Sequence, residues 1–181
     1  MGQLTIRGTS ADLPVLDQDL EPVDSLGDSV SGFDFGAASV RALDVGNVRL
    51  ADGRIRAVRA ERGRMADVVV RSVEFTGCEL DFAVLDQVRA VGPVIFDHCS
   101  LREAEFTGCV LAGALFDGCD LALAAFGPGR YLRCDLRGND LSAVTGAHHL
   151  SRVIIDRAQL LQLAEALAAE LDVSFGEDLP A

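Results

Sequence analysis

Hydrophobic residues recur in this chain every five positions. Val30, Phe35, Val40, Val45, Leu50, Ile55, Ala60, Met65, Val70, Phe75, Leu80 and Leu85 are all apolar. After a slip of one residue the beat resumes at Phe96 and runs through Leu101, Phe106, Leu111, Phe116, Leu121, Phe126, Tyr131, Leu136 and Leu141. Hydrophobic residues make up 49% of the chain, so an unbroken run of this length is a repeat and not an accident of composition. Neither common element tolerates the period. Five residues carry an α-helix about 140° past one full turn, so the apolar positions would spiral around it. On a flat strand, an odd spacing sends successive hits to opposite faces. A chain that turns a corner every five residues keeps each fifth side chain inward, and four such sides close a coil of about twenty residues that stacks on the next through a parallel ladder.

Residues one coil apart support this reading. With the slip counted, Phe35, Ile55, Phe75, Phe96, Phe116 and Leu136 share one side, and Val40, Ala60, Leu80, Leu101, Leu121 and Leu141 share the next. Phenylalanines therefore line two opposite walls and leucines the other two, which is size complementarity across a narrow core. Two residues before each central position lies a smaller one, including Val68, Val73, Cys78, Ala83, Val94, Cys99, Ala104, Cys109, Ala114, Cys119, Ala124 and Cys134. Two residues after it, Gly77, Gly108, Gly113, Gly118 and Gly138 supply the backbone freedom that a corner needs. Gly92-Pro93 marks the slip and predicts a structural bulge there.

Ala104-Glu105-Phe106-Thr107-Gly108, Cys119-Asp120-Leu121 and Cys134-Asp135-Leu136-Arg137-Gly138 resemble the consensus of the pentapeptide repeat proteins. The resemblance spans about residues 30–141 and is densest over 73–141. It implies an all-β solenoid, a right-handed quadrilateral parallel β-helix of five to six coils, followed here by a C-terminal α-helix. The expected organisation is an acidic segment over residues 1–29, the β-helix over 30–155, a capping or dimerisation helix over 156–173, and an acidic tail over 174–181. Residues 1–29 read as a cap over the first coil, with a flexible arm or an irregular first coil as alternatives. Asp156 with Gln159 looks like a capping box, and Leu160, Leu163, Leu167 and Leu171 recur at helical spacing, so a helix over about 157–172 should cover the last coil. In topoisomerase-binding members of the family such a segment also joins two chains, so the resemblance implies a homodimer through this end.

The cysteines fall on the small inward register, which predicts reduced, core-filling thiols and no disulfide framework. His148-His149 are too close in sequence to hold one metal alone, and Gly127-Pro128-Gly129-Arg130 lacks the spacing and lysine of a phosphate loop, so it reads as a distorted corner. No cofactor and no metal are expected, and a filled core argues against an enzyme. No signal-like segment or membrane-length apolar run is present, which points to the cytoplasm.

Charge carries the remaining functional signal. The formal net charge is −12, and every one of the 16 basic residues is arginine. Arg49, Arg54, Arg59 and Arg64 precede four successive central residues, predicting an arginine belt with one member on each wall. Asp97 and Asp117 follow central residues on one wall, and Asp120 and Asp140 precede them on the adjoining wall. Stacked acids on a rod resemble a phosphate backbone, and acidic members of the family mimic DNA toward gyrase. Arg137 and the belt interrupt that pattern here. The sequence therefore reads as a non-catalytic, rigid protein-binding scaffold with no direct contact to nucleic acid or membrane. The alternative is a DNA mimic that binds DNA gyrase or topoisomerase.

Overall fold

An inward side chain at every fifth residue requires the backbone to turn between them, and the backbone does so by entering the left-handed region two residues after the central position. Gly77, Gly108, Gly113, Gly118 and Gly138 have φ between 57° and 75°. The computed structural model describes residues 3–7, 29–32, 34–36, 39–40, 42–47, 49–60 and 63–173, which form a parallel β-solenoid followed by one α-helix, Gln159–Glu170.

Four faces follow from the strand registers. On the Phe96 face, Phe35 pairs with Ile55, Ile55 with Phe75, Phe75 with Phe96, and Phe96 with Phe116. On the Leu101 face, Arg59, Glu79, Ser100 and Asp120 follow one another as parallel bridges. The Phe106 face stacks Val45, Met65, Leu85, Phe106 and Phe126. The Leu111 face aligns Arg49, Val69, Arg89, Val110 and Arg130 in a single column. The slip is localised here: Ala90 pairs with Val70 while Val94 pairs with Val73, so the extra residue is absorbed over 91–93. A compensating contraction follows, since Thr145 bridges Ala125 but Ile154 bridges Asp135, with the 3-10 turn Ala147–His149 between them.

The expected size complementarity is present as ring packing. Phe75, Phe96 and Phe116 stack at 4.8 Å, Phe106 and Phe126 stack at 5.0 Å, and the two columns meet edge to face, Phe106 lying 6.1 Å from Phe116. Offset stacks and edge contacts of this kind add to the energy of area burial. All five cysteines are buried and free. They do more than fill space. The thiols of Cys78, Cys99 and Cys119 donate to the carbonyls of Ile55, Phe75 and Phe96, central residues of the coil below, at 3.3 Å each. Asn139 continues this column, donating from Nδ2 to Phe116 O at 2.8 Å while its Oδ1 accepts the Cys119 amide at 2.7 Å. Burial pushes the Cys109 thiol up to about 11 and that of Cys134 up to about 12, so both stay protonated at neutral pH.

Of residues 1–29, Gln3–Arg7 run antiparallel along Ala42–Gly46 and so occupy the ladder edge of the Phe106 face, and Ser29–Ser31 pair with Arg49–Ala51. Residues 8–28 and the tail 174–181 lie outside the described residues.

At the other end Asp156 does not cap the helix. Its carboxylate accepts the Gly138 amide at 3.2 Å, while Gln159 Oε1 accepts the Asp156 amide at 2.6 Å. Gln159 Nε2 donates to Leu136 O and Asn139 O, at 2.8 and 2.7 Å. Gln159 thus does for Leu136 what Asn139 does for Phe116. The last coil exposes peptide groups that need polar partners, and Gln162 and Glu170 also face it, accepting the amides of Leu141 and Ala147. The helix is consequently rotated by roughly a quarter turn from the leucine stripe. Ala166 is buried and Leu163 and Leu167 pack on the core, but Leu160 and Leu171 stand 65% and 72% exposed instead of covering the coil.

Candidate interaction surface

Inside the solenoid, the void beside Met65, Phe75 and Leu85 holds about 10 Å³, roughly the size of one water probe. The buried polar side chains Asn139 and Gln159 are spent on backbone groups, and the charged side chains lie outside, where the registers decide which of them meet.

Asp97 and Asp117 are register partners on adjacent strands, as expected. Two carboxylates at ladder spacing repel, and an imidazole beside them relieves this. His98 Nδ1 lies 2.6 Å from Asp97 Oδ1, and this hydrogen bond, then the charges of Asp97 and Asp117, raise the imidazole above its ordinary value. On the Leu101 face, Asp120 Oδ1 accepts the Ala122 amide at 3.0 Å, and Asp120 Oδ2 accepts from Arg102 at 3.0 Å. These contacts hold its carboxyl below the usual range. Asp140 is held low in the same way by the amide and hydroxyl of Ser142, against opposition from Asp120. Asp97 is therefore stacked on Asp117, but Arg102, together with Arg137 bound to Asp135 at 2.7 Å, breaks the run of negative charge.

The arginine belt is largely neutralised by the next coil. Arg54 meets Glu74 at 3.5 Å, Arg59 forms a bidentate pair with Glu79, and Arg64 lies 3.9 Å from Asp86. Arg49 differs. It lies on the Leu111 face beside Arg71 and Arg89, above a groove of about 530 Å³. A second groove of about 500 Å³, between Asp34, Asp52, Arg54, Glu74 and Pro93, has mixed charge. Exposed surface pairs of this type contribute little each to stability and mainly set the local field.

His148 serves the fold: its Nδ1 lies 2.7 Å from Glu170 Oε2, pinning the C-terminal end of the helix, and the described residues contain no group of three or more metal-binding side chains. At the Gly127–Gly129 corner, a Cβ on Gly129 would come within 2.6 Å of Cys109 O, which accounts for glycine there. Among the described residues no helix is long and apolar enough to cross a membrane.

Residues 94–126, which include four of the stacked rings and the thiols of Cys99, Cys109 and Cys119, match the family of pentapeptide repeats in eight copies. The chain carries pentapeptide repeats. No curated protein matches it significantly. Among solved structures, a trypsin-treated QnrB1, described as a plasmid-mediated fluoroquinolone resistance protein, is similar over 82% of this chain and 91% of its own, with 13% identity and a TM-score of 0.35. Full-length QnrB1 is similar over 77% of this chain and 99% of its own, with 13% identity and a TM-score of 0.27. The pentapeptide match covers the most regular coils, where glycine corners are frequent and small residues precede each ring. Upstream coils keep the inward register but lose the consensus.

Proposed function

We propose that this pentapeptide-repeat protein is a non-catalytic scaffold whose exposed faces bind another protein. The observation that carries the reading is the division of the molecule into an apolar, ring-packed interior and an outer skin holding the charged side chains. A rigid rod of this kind presents side chains at fixed ladder spacing and loses little entropy on binding. Capture from native cytosol with the wild type and with charge-reversed variants tests it. One partner should be retained by the wild type and lost with reversal on a single face. Retention that ignores every face would overturn it.

A second reading is favoured by the Asp97–Asp117 pair: the acidic faces engage DNA gyrase in place of DNA. On this reading purified protein inhibits supercoiling, and Asp97→Asn with Asp117→Asn weakens the inhibition and its sensitivity to salt. The arginines at 102 and 137 lie within those faces, which is why the scaffold reading stands first. The outward Leu160, Leu161 and Leu171 support an end-to-end homodimer, for which Leu160→Asp with Leu171→Asp should lower the mass measured by light scattering to that of one chain.

A further inference from the structure

The Leu111 face reverses the character of the molecule. The protein carries a net charge of −12, yet this face and its edge hold Arg49, Arg71, Arg89, Arg130, Arg133 and Arg152, all exposed. Among the described residues the one acid beside them is Asp52, bound to Arg71 at 3.2 Å, and no other ion pair on this face is formed. The Phe106 face, by contrast, sets Asp67, Asp86 and Glu105 against Arg64.

Sequence order hid this face, because its arginines come from successive coils and fall into line only through the ladder. Arg49, Arg89 and Arg130 occupy alternate rungs of one column, with Val69 and Val110 between them. Alternate rungs place Arg49 and Arg89 about 10 Å apart at the backbone. The slip shapes the same spot. The added residue leaves Val91 beside Arg71 and 64% exposed, and a Cβ on Gly92 would lie 2.8 Å from Arg71 Cγ, so the glycine lets the Arg71 stem lie flat across the bulge. The groove is lined by Arg49, Ala51, Val69, Arg71, Arg89 and Val91.

We propose that the Leu111 face is a docking site for an acidic, partly aliphatic segment of a partner protein. Arginine forks match carboxylates bidentately, and the interleaved valines reward aliphatic side chains that a phosphate backbone does not have. Tyr131, the aromatic residue of this face, is buried and offers no platform for a base. The overall negative charge repels an extended polyanion. A short segment lying against the face feels mainly the arginines, because screening at physiological salt acts over about 8 Å. The inference rests on the protein-binding reading and identifies one face and one partner chemistry for it.

The test is fluorescence anisotropy with the full chain and a short labelled peptide alternating Glu and Val. The same peptide with Gln for Glu and a short duplex DNA serve as comparison probes. The Glu peptide should bind, and Arg49→Glu with Arg89→Glu should weaken it by roughly 100-fold, about a factor of ten for each reversed charge. Arg54→Gln with Arg59→Gln, on two other faces, should leave binding within about twofold. Circular dichroism of each variant establishes that it is folded, and Arg49→Gln with Arg89→Gln gives a milder pair should the reversal unfold the chain. Equal binding of the Gln peptide, tighter binding of DNA, or arginine variants that change only the protein's own mass in solution would each overturn the proposal. Failure of the wild-type chain to bind the Glu peptide, with capture of a partner through Asp97 and Asp117 retained, would overturn it and leave the scaffold reading in place.

Discussion

The coils before and after the slip solve the same geometric problem with different chemistry. Both turn a corner two residues after each inward side chain. Downstream, glycine takes the corners at Gly108, Gly113, Gly118 and Gly138, while His98, Glu103, Leu123 and Arg133 take others. Upstream, apart from Gly32 and Gly77, the same left-handed conformation is adopted by residues with a side chain: Asn47, Asp52, Ala57, Asp67, Ser72, Phe82 and Gln87. A Cβ in this region costs about 1 to 2 kcal/mol for most residues, less for Asn and Asp. The upstream coils have longer ladders, including the eight-residue strands Arg49–Arg56 and Val69–Thr76, whose backbone bonds offset the strain. The downstream coils have shorter strands, such as Glu105–Thr107 and Leu115–Asp117, and rely on stacked rings and thiol contacts within. A repeat fold thus needs the inward beat everywhere, while the corner residue and the cross-rung contacts can be exchanged for one another.

The largest test strikes the downstream core. Phe106→Ala removes a ring that stacks on Phe126 and meets Phe116 edge-on, in coils that cannot collapse independently, and should cost about 3 to 5 kcal/mol in urea unfolding. Ile55→Val in the upstream core should cost about 0.5 to 1.5 kcal/mol. Comparable losses would show that the two halves are packed alike and would break the contrast.

Corner exchange sharpens it with opposite signs. Gly113→Ala meets no atom within 4 Å, so its expected cost of about 1 kcal/mol comes from the backbone alone. Ala57→Gly upstream relieves the same strain and should raise the thermal midpoint, by up to about 1 kcal/mol of stability. A lower midpoint for Ala57→Gly would mean that the upstream corners are not strained.

The smallest effect is electrostatic. The pKa of His98 is raised in the folded state by Asp97 and Asp117, so its contribution is complete below the unfolded value of about 6.5 and is lost as pH rises through the folded value. The difference in melting temperature between wild type and His98→Gln should therefore be larger at acidic than at alkaline pH. A gap that ignores pH would remove His98 as the group that relieves the stacked acids.

Much of this was legible before any coordinate. The beat of five, the inward small residues at Cys78, Cys99 and Cys119, the opposed columns of Phe96 and Phe106, and the bulge at Gly92-Pro93 all follow from side-chain size at fixed spacing. That information is local, because a corner every five residues is set by the residues that make it. The stacking of Asp97 on Asp117 was legible for the same reason once the coil length was known. Three features were not. The helix faces the coil with Gln159, Ala166 and Glu170 because unpaired peptide groups of a distant segment select the polar side, against the leucine periodicity of the helix itself. Three members of the arginine belt lose their free charge to acids a full coil away in Glu74, Glu79 and Asp86. The basic face draws its arginines from separate coils: Arg49 and Arg89 align at the regular coil spacing, and the extra residue at 91–93 brings Arg130 into the same column. The sequence determines which side chains turn inward, since burial acts on each repeat separately. Which charges become neighbours was decided by the stacking of coils, because electrostatic contacts depend on distances that the ladder creates between residues far apart in the chain.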